Sequence, residues 1–332
     1  MGATPRTLSV VIPVCNSEET LAPLLVRLED ALSALRSADA IGVYEVLLVD
    51  DGSRDASWKT VEKLAAEHAA VRGIRLMRNY GQHNALLCGI RAAKHELVVT
   101  MDDDLQHPPE EIARLLEAMT DDDDVVYGSP RIDAHGLWRK LASTTTKLAL
   151  KKAMGAEIAE KTSAFRAFRT RLRDAFADYR SPHVSIDILL TWATTRFVVV
   201  DVTHVPRRHG TSNYSFGKLL THALNMLTGF STLPLQLASW IGFALTAFGV
   251  VVLVYVLGRY LLAGSTVPGF PFLASLIALF SGAQLFALGI IGEYLARMHF
   301  RMMSQPAYAI RSRTHGEDEA EAPERERATD GP

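Results

Sequence analysis

The chain has 332 residues, a formal net charge of −2 and a pI near 6.6, a balance that gives no indication of nucleic-acid binding. Its two cysteines, Cys15 and Cys88, are too few for a disulfide framework and suit a reducing compartment. Neither lies near a His/Cys cluster, which argues against a zinc site. The first residues show no signal peptide, so we expect the N-terminal part to stay in the cytoplasm.

Short apolar runs and amphipathic segments alternate through the N-terminal part of the chain. The predicted strands are Leu8–Val14, Tyr44–Val49, Gly73–Met77, Leu97–Met101, Val125–Tyr127 and Phe197–Val202, and the predicted helices are Glu18–Leu35, Ser57–His68 and Gln82–Lys94. Asn16 is the expected N-cap of the first helix, with Glu19 completing a capping box. Because the strands are apolar along their length, the pattern predicts an α/β domain with a mostly parallel sheet and helices on both faces.

Two clusters of carboxylates come directly after predicted strands. Asp50 and Asp51 follow the second strand, and the run Asp102–Asp104 follows the fourth. Ligand sites of open α/β sheets lie at the carboxyl ends of strands, so both clusters are expected in one crevice. Three adjacent carboxylates repel one another, and Mg²⁺ or Mn²⁺ is the natural ion to hold them together. The alternative is a solvated acidic turn, which is our interpretation of Asp121–Asp124.

The two acidic clusters favour a nucleotide-diphosphate site that has no Gly-rich phosphate loop. One acidic cluster can accept hydrogen bonds from a base or ribose, and the other can hold a metal ion on a diphosphate. Neither G-x-x-x-x-G-K-S/T nor G-x-G-x-x-G occurs in the chain. A P-loop and a dinucleotide-type Rossmann site are therefore not supported.

The C-terminal third is apolar enough to enter a membrane. Asp, Glu, Lys and Arg are missing from Leu219–Gly258 and again from Tyr260–Gly292. The spans 235–262 and 270–295 within these stretches are each long enough to cross about 30 Å of hydrocarbon, which predicts a transmembrane hairpin. Two buried helices of a soluble core are the alternative. Small residues on the spans, such as Gly242 and Gly282, are candidates for a homo-oligomer interface.

Charges around the hairpin predict its orientation. The flanking basic residues are Arg207, Arg208 and Lys218 before it and Arg297, Arg301, Arg311 and Arg313 after it, against Arg259 alone near the short loop. By the positive-inside rule, both ends of the chain are cytoplasmic in an inner (plasma) membrane protein. Residues 216–234 are expected to form an interfacial amphipathic helix, with a packed core helix as the alternative. Residues 296–314 form a basic juxtamembrane segment, and 315–332 a disordered tail.

Several motifs, in order along the chain, resemble those of one enzyme family. They are VVIPVCNSEETL, VLLVDDGSRD, RNYGQHNALLCGIRAA, MDDDLQHPPE, TSAFRAFRTR, RRHGTSNYSFGKLL, FSTLPLQ and GIIGEYLARM. Together with the hairpin, they resemble family-2 glycosyltransferases of the GT-A fold, in the polyprenyl-phosphate glycosyltransferase branch that is similar to dolichyl-phosphate-mannose synthase. The resemblance implies a cytoplasmic GT-A catalytic domain over residues 1–215.

The resemblance also implies roles for particular residues. A nucleotide-sugar donor would be bound by Pro13, Val49, Asp50, Asp51, Asp102 and Gln106. A Mg²⁺ or Mn²⁺ ion would be held by Asp104, Asp102 and Gln106. The phosphate of a polyprenyl-phosphate acceptor would meet Arg139 and Ser143, and Arg207 would meet the diphosphate or the lipid phosphate.

Some positions depart from the family pattern. Cys15 and Ser17 stand where a Tyr and an acid are frequent, and Ala164 stands where some relatives carry an Asp, so a catalytic base there is not implied. We expect transfer of one sugar at the membrane surface, with attack from the face opposite the leaving group and therefore inversion at the anomeric carbon, and with a UDP-sugar favoured over a GDP-sugar as donor. Two alternatives stay open at this point, a processive polysaccharide synthase and a membrane-anchored scaffold with a degenerate transferase domain.

Overall fold

The computed structural model describes residues 5–130, 161–181, 184–205, 233–263, 269–302 and 305–314. The chain divides into two compact units. The first contains the sheet, with residues 306–314 belonging to it, and the second contains two long helices.

The first unit is built from alternating strands and helices. Its strands are β1 (Arg6–Val14), β2 (Ile41–Asp50), β3 (Val71–Leu76), β4 (Leu97–Thr100), β5 (Val125–Pro130), β6 (Arg166–Arg169), β7 (Phe197–Val202) and β8 (Ile310–Arg313). Its helices are α1 (Glu18–Ser37), α2 (Ser57–Glu67), α3 (Gln82–Ala92), α4 (Ile112–Ala118) and α5 (Ile186–Ala193). The second unit has α6 (Leu233–Ala263) and α7 (Phe270–Met302).

The eight strands of the described residues form one mixed sheet in the order β7-β5-β6-β4-β1-β2-β3-β8. The pairs β1–β2, β1–β4, β2–β3 and β5–β7 are parallel, whereas β4–β6, β5–β6 and β3–β8 are antiparallel. The carboxyl ends of β1, β2, β3 and β4 therefore share one edge of the sheet. The loops that leave this edge carry both acidic clusters, as the sequence predicts.

Helices cover both faces of the sheet. Successive residues of a strand point to opposite faces, and Leu48 and Val49 accordingly belong to different core clusters. The larger cluster includes residues of α1, α2 and α4, and the smaller one includes Ala85 and Cys88 of α3. Burial on both faces explains why β1 is apolar along seven consecutive buried positions with a single polar exception, Ser9.

The predicted N-cap of α1 is wrong by one residue. Ser17 is the N-cap, and no side-chain capping bond is present, so the capping box with Glu19 does not form. Asn16 instead has a positive φ of 55°, and its Oδ1 accepts the backbone N–H of Arg54 at 2.9 Å. A contact with a distant loop therefore replaces the local cap.

Two strands were not predicted from the sequence. β6 contains the charged sequence RAFR, in which Arg166 is buried. β8 follows the long helices and pairs with β3, which makes β8 an edge strand of the sheet. Thr314, the residue after β8, extends this pairing. It donates its backbone N–H to the carbonyl oxygen of Gly73 at 3.1 Å, and its Oγ1 accepts the N–H of Gly73 at 2.8 Å.

The interpretation of Asp121–Asp124 as a solvated turn holds only in part. Asp121 and Asp122 are exposed, whereas Asp124 is buried. The Asp124 carboxylate accepts hydrogen bonds from Arg171, Arg196 and Thr194. Those contacts hold its pKa below the usual value, although burial acts in the opposite direction.

The second unit consists of long apolar helices. α6 and α7 have 31 and 33 residues, which correspond to about 45–50 Å of helix. Many of their large apolar side chains are exposed, including Trp240 and Phe243 of α6 and Leu285 of α7. Among the described residues, Leu235–Val256 is long and apolar enough to cross a membrane, and Phe280–Ala296 is a shorter apolar stretch.

Candidate active site

The acidic triplet lies where β4 ends, at the shared carboxyl edge of the parallel strands. All three carboxylates are partly buried. Asp102 accepts a hydrogen bond from Gln82 Nε2 at 2.5 Å, and this contact links it to the first turn of α3. Asp104 accepts the backbone N–H of Gln106 at 3.1 Å and also pairs with the Gln106 side chain. Asp102, Asp104 and Gln106 thus face the edge from one short loop.

Asp103 has a different environment from its two neighbours. Its Oδ2 accepts hydrogen bonds from the Ser17 hydroxyl and, at 3.3 Å, from the Cys15 backbone N–H. Burial raises the pKa of Asp103, and the charge of Asp104 adds to this, while the two hydrogen bonds oppose it. Asp103 therefore connects the β4 loop to the β1–α1 loop.

Asp51 joins two other loops of the same edge. Its carboxylate accepts the backbone N–H groups of Tyr80 at 2.7 Å and Gly81 at 2.8 Å. Burial raises the pKa of Asp51 to about 6, against the effect of these two donors, and the charge of Asp50 also raises it. The carboxylate thus fixes the β3–α3 loop beside the β2–α2 loop.

The other residues expected to line the nucleotide pocket are covered. Asp50 is fully buried, accepts the Ser53 N–H at 3.2 Å and lies 3.4 Å from Arg75 Nε. Pro13 and Val49 are buried at the ends of β1 and β2. These three residues lie at the carboxyl ends of β1 and β2, and the donor contacts expected of them remain predictions.

The close approach of the two loops depends on a glycine. Gly52 has a φ of +66°, and a Cβ at this position would lie 2.5 Å from the carbonyl carbon of Arg78. Any other side chain would push the loops apart. Beyond the contact, the Arg78 guanidinium lies 4.7 Å from the centre of the Tyr80 ring. Sequence reasoning did not single out Arg78, Tyr80 or Gln82, although all three lie in a motif that carries the resemblance.

The donor set at the triplet fits a hard divalent cation. Asp102, Asp104 and Gln106 offer oxygen ligands, which Mg²⁺ and Mn²⁺ prefer. Among the described residues, no group of three His, Cys, Asp or Glu side chains is arranged to hold a metal ion by itself. Such an incomplete set suits an ion that takes its remaining ligands from phosphate oxygens and water.

Three predicted site residues lie outside the described residues. They are Arg139 and Ser143, expected at the acceptor phosphate, and Arg207, expected at the diphosphate or lipid phosphate. The predicted interfacial helix over 216–234 lies almost entirely outside them as well, as does the tail over 315–332. The roles given to these segments remain predictions.

Comparison with known proteins identifies the family. The profile described as glycosyl transferase family 2 matches residues 9–180. Undecaprenyl-phosphate 4-deoxy-4-formamido-L-arabinose transferase of Aeromonas hydrophila is 36% identical over 309 residues, covering 92% of this chain and 93% of that protein. The enzyme of the same name from Proteus mirabilis is 37% identical over 306 residues, covering 91% and 92%.

Solved structures give more distant matches. Glucosyl-3-phosphoglycerate synthase from Mycobacterium tuberculosis, in complex with Mn²⁺, UDP and phosphoglyceric acid, has a TM-score of 0.46 and 17% identity, covering 67% of this chain and 76% of that one. A mannosyltransferase from Pyrobaculum calidifontis, in complex with GDP-Man and Mn²⁺, has a TM-score of 0.44 and 17% identity, covering 88% of both chains.

The chain belongs to glycosyl transferase family 2. The family match and the mixed α/β sheet confirm the predicted GT-A fold, and the chain is accordingly a glycosyltransferase. These relatives do not support one of the two alternatives from the sequence, a scaffold without enzymatic activity.

Proposed function

We propose that this glycosyltransferase transfers a single sugar from a nucleotide-diphosphate sugar to undecaprenyl-type polyprenyl phosphate, with inversion at the anomeric carbon. The product is a lipid-phosphate-linked sugar for modification of a cell-envelope glycan or glycolipid. A UDP-sugar is preferred over a GDP-sugar as donor. The reaction takes place at the cytoplasmic face of the inner membrane.

The observation that carries this proposal is the extent of the match to undecaprenyl-phosphate sugar transferases. Only 232 residues precede α6, which begins at Leu233, yet the alignment with the Aeromonas relative spans 309 residues. The similarity therefore includes the apolar helices as well as the sheet. Because the proposed acceptor is a lipid, the transfer would use both the unit that contains the sheet and the unit that contains the apolar helices.

The geometry of the triplet supports the donor side of the proposal. Asp102, Asp104 and Gln106 would hold a Mg²⁺ or Mn²⁺ ion at the carboxyl edge of the sheet. When bound, this ion stabilises the negative charge of the departing nucleotide diphosphate as a Lewis acid. The loops joined by Asp51 lie along the same edge, where a base and ribose would extend from the diphosphate.

The chemistry of the acceptor agrees with the absence of an acidic side chain at position 164. A phosphate monoester has a second pKa near 6, so it is largely ionised at about pH 7 and needs little help from a general base. Ala164 is therefore compatible with catalysis. Arg139, Ser143 and Arg207 are proposed to position this phosphate and to stabilise developing charge, which are roles that cationic and hydroxyl groups fill well.

The pairing of β8 supports a membrane hairpin. β8 follows α7 in the chain and hydrogen-bonds with β3, which precedes α6. The chain thus leaves the sheet, passes through two long apolar helices and returns to the same sheet. If these helices enter a bilayer, they cross it an even number of times. We therefore propose that both helices span the membrane, with the sheet and the residues after α7 on the cytoplasmic side.

A donor panel tests the proposal. Purified full-length protein in detergent is incubated with short-chain polyprenyl phosphate and labelled UDP- and GDP-sugars, including UDP-4-deoxy-4-formamido-L-arabinose, with Mn²⁺, with Mg²⁺ or with EDTA. We expect metal-dependent label in the lipid phase for one donor, with the anomeric configuration opposite to that of the donor. Retention of configuration would contradict the mechanism. Addition of many sugars per acceptor would support a polysaccharide synthase instead.

A further inference from the structure

A buried ionic network adjoins the strand that ends in the acidic triplet. The side chain of Arg166, on β6, is 1% exposed, and its guanidinium pairs with the carboxylate of Asp187 in the first turn of α5. The hydroxyl of Tyr127, on β5, donates to the same carboxylate oxygen at 2.9 Å. None of these residues belongs to the donor, metal or acceptor sets described above.

The network connects to β4 through Thr100. Arg166 and Thr100 are partners in the antiparallel β4–β6 ladder, and Arg166 Nε donates to Thr100 Oγ1 at 3.1 Å. The same hydroxyl donates to the carbonyl oxygen of Ala164 at 2.7 Å. Thr100 is the last residue of β4 and precedes Asp102 by two positions. A shift of the Arg166 guanidinium would therefore move the strand end that carries the triplet.

Arg166 also places a positive charge close to the triplet. Burial acts to lower its pKa, but Asp187 leads the groups that raise it, Asp102 is among them, and the net effect is a raised pKa. The guanidinium thus stays charged, and the Asp102 carboxylate lies within range of its field.

We propose that Arg166 is a positioning residue of the metal site, held by Asp187 and Tyr127, that fixes the end of β4 and with it the position of Asp102. The inference rests on the proposed metal-dependent transfer. A buried ion pair gives little net stability, because the loss of hydration offsets much of the attraction. A role in the geometry of the site gives a reason for placing a fully buried arginine at this point.

Two variants test the network by different routes. Asp187→Asn keeps the shape of the side chain but leaves the Arg166 charge buried without its counter-charge, which destabilises a fold. The double variant Arg166→Met with Asp187→Asn removes both charges, so no unpaired charge remains. Thermal unfolding of each full-length variant shows whether the fold is kept.

A second buried ion pair of the same sheet provides a matched control. Glu45 on β2 pairs with Arg72 on β3 at 2.7 Å and accepts a hydrogen bond from Ser9. Glu45 lies five residues before the end of β2 at Asp50, which places it about 17 Å from the carboxyl edge. Glu45→Gln therefore perturbs a comparable pair without touching the triplet.

The readout is Mn²⁺ binding without turnover. Free Mn²⁺ is measured by electron paramagnetic resonance in the presence of UDP, which gives a Kd for each full-length protein in detergent. We expect Asp187→Asn and the double variant to raise this Kd about tenfold or more, the range found for residues that support metal ligands. Asp187→Glu, which keeps the charge, restores part of the loss. Glu45→Gln lowers the melting temperature and leaves the Kd unchanged.

The outcomes separate this inference from the proposed function. If the wild-type protein binds Mn²⁺ with UDP and the folded variants bind it equally well, the network is only structural and the inference is overturned, while the proposed function stands. If transfer is lost in Asp187→Asn at every Mn²⁺ concentration with an unchanged Kd, Asp187 acts in the chemistry and the inference is again overturned. If the wild-type protein binds no Mn²⁺, the metal part of the proposed function fails first.

Discussion

The hydroxyl of Ser17 donates a hydrogen bond to the carboxylate of Asp103, and this contact joins the β1–α1 loop to the acidic triplet. The three carboxylates of the triplet therefore have different hydrogen-bond partners. Asp103 is engaged with the neighbouring loop, whereas Asp102 and Asp104 interact with the amide side chains of Gln82 and Gln106. We infer that Asp102 and Asp104 are the metal ligands and that Asp103 supports the loop.

Asp104→Ala and Asp102→Ala are expected to reduce transfer at least about 100-fold, because the loss of a ligand removes charge stabilisation worth several kcal/mol. Both side chains are partly exposed, so the fold and membrane insertion should persist. The check is initial rates at saturating donor and acceptor, with detergent-solubilised protein of normal melting temperature.

Asp122→Ala provides the matched control for these variants. Asp122 is an exposed carboxylate of the other acidic run, and its loss is expected to leave the rate unchanged. Wild-type rates in both Asp102→Ala and Asp104→Ala would show that the triplet is not part of the active site.

Ser17→Ala is expected to lower the free energy of unfolding by about 1.5–3 kcal/mol, the usual worth of a hydrogen bond to a charged group. Transfer should fall by less than about tenfold, since Asp103 is not a proposed ligand. Chemical denaturation and steady-state rates measure the two effects on the same preparation. A loss of transfer as large as that of Asp104→Ala would mean that Asp103 contacts the metal ion.

The raised pKa of Asp51 predicts a pH-dependent stability. Burial raises this pKa from 3.8 to about 6, so the native state binds the proton more tightly than the unfolded chain does. The resulting stabilisation is present below about pH 4 and is lost as the pH rises through about 6. Two pKa units correspond to about 3 kcal/mol at the most.

Asp51→Asn isolates this contribution, because the amide does not ionise. The stability of the wild-type protein relative to the variant should fall between about pH 4 and about pH 7, measured by thermal unfolding without nucleotide or metal. A difference that stays constant over this range would show that the pKa of Asp51 is not raised. The variant also loses one acceptor for the N–H groups of Tyr80 and Gly81.

The β3–β8 pairing predicts where the end of the chain lies. An epitope added after Pro332 should be cleaved by protease in inside-out membrane vesicles and protected in spheroplasts. An epitope inserted at 264–268, between α6 and α7, should show the opposite pattern. If both epitopes are accessible from the same side, the two helices do not form a membrane hairpin.

Much of the sheet could be predicted because its central strands are apolar and buried on both faces. The bounds of β7 were predicted as observed, and those of β1 and β4 within two residues. β6 was missed because its pattern RAFR contains arginines, and the sequence does not show that Arg166 is neutralised by Asp187, 21 residues later. β8 was missed because a short polar edge strand is recognisable only from its partner β3.

The sequence indicates the residue types of the candidate site, but it does not indicate the contacts between them. Adjacent carboxylates at a strand end indicate a metal site from local sequence alone. The burial of Asp50, the amide contacts of Asp51 and the pairing of Ser17 with Asp103 depend on loops that meet in space. The N-cap prediction at Asn16 is wrong for the same reason, because its hydrogen-bond partner Arg54 lies 38 residues away.

The most direct test of the central claim is the identity of the product. Wild-type protein is incubated with Mn²⁺, the active nucleotide-sugar and either undecaprenyl phosphate or undecaprenol, and the lipid products are analysed by mass spectrometry. The account predicts one sugar per lipid, linked through a phosphodiester, from undecaprenyl phosphate alone, and no such product from Asp104→Ala. Transfer to undecaprenol, or an undecaprenyl phosphate that stays unmodified with every donor, would contradict it.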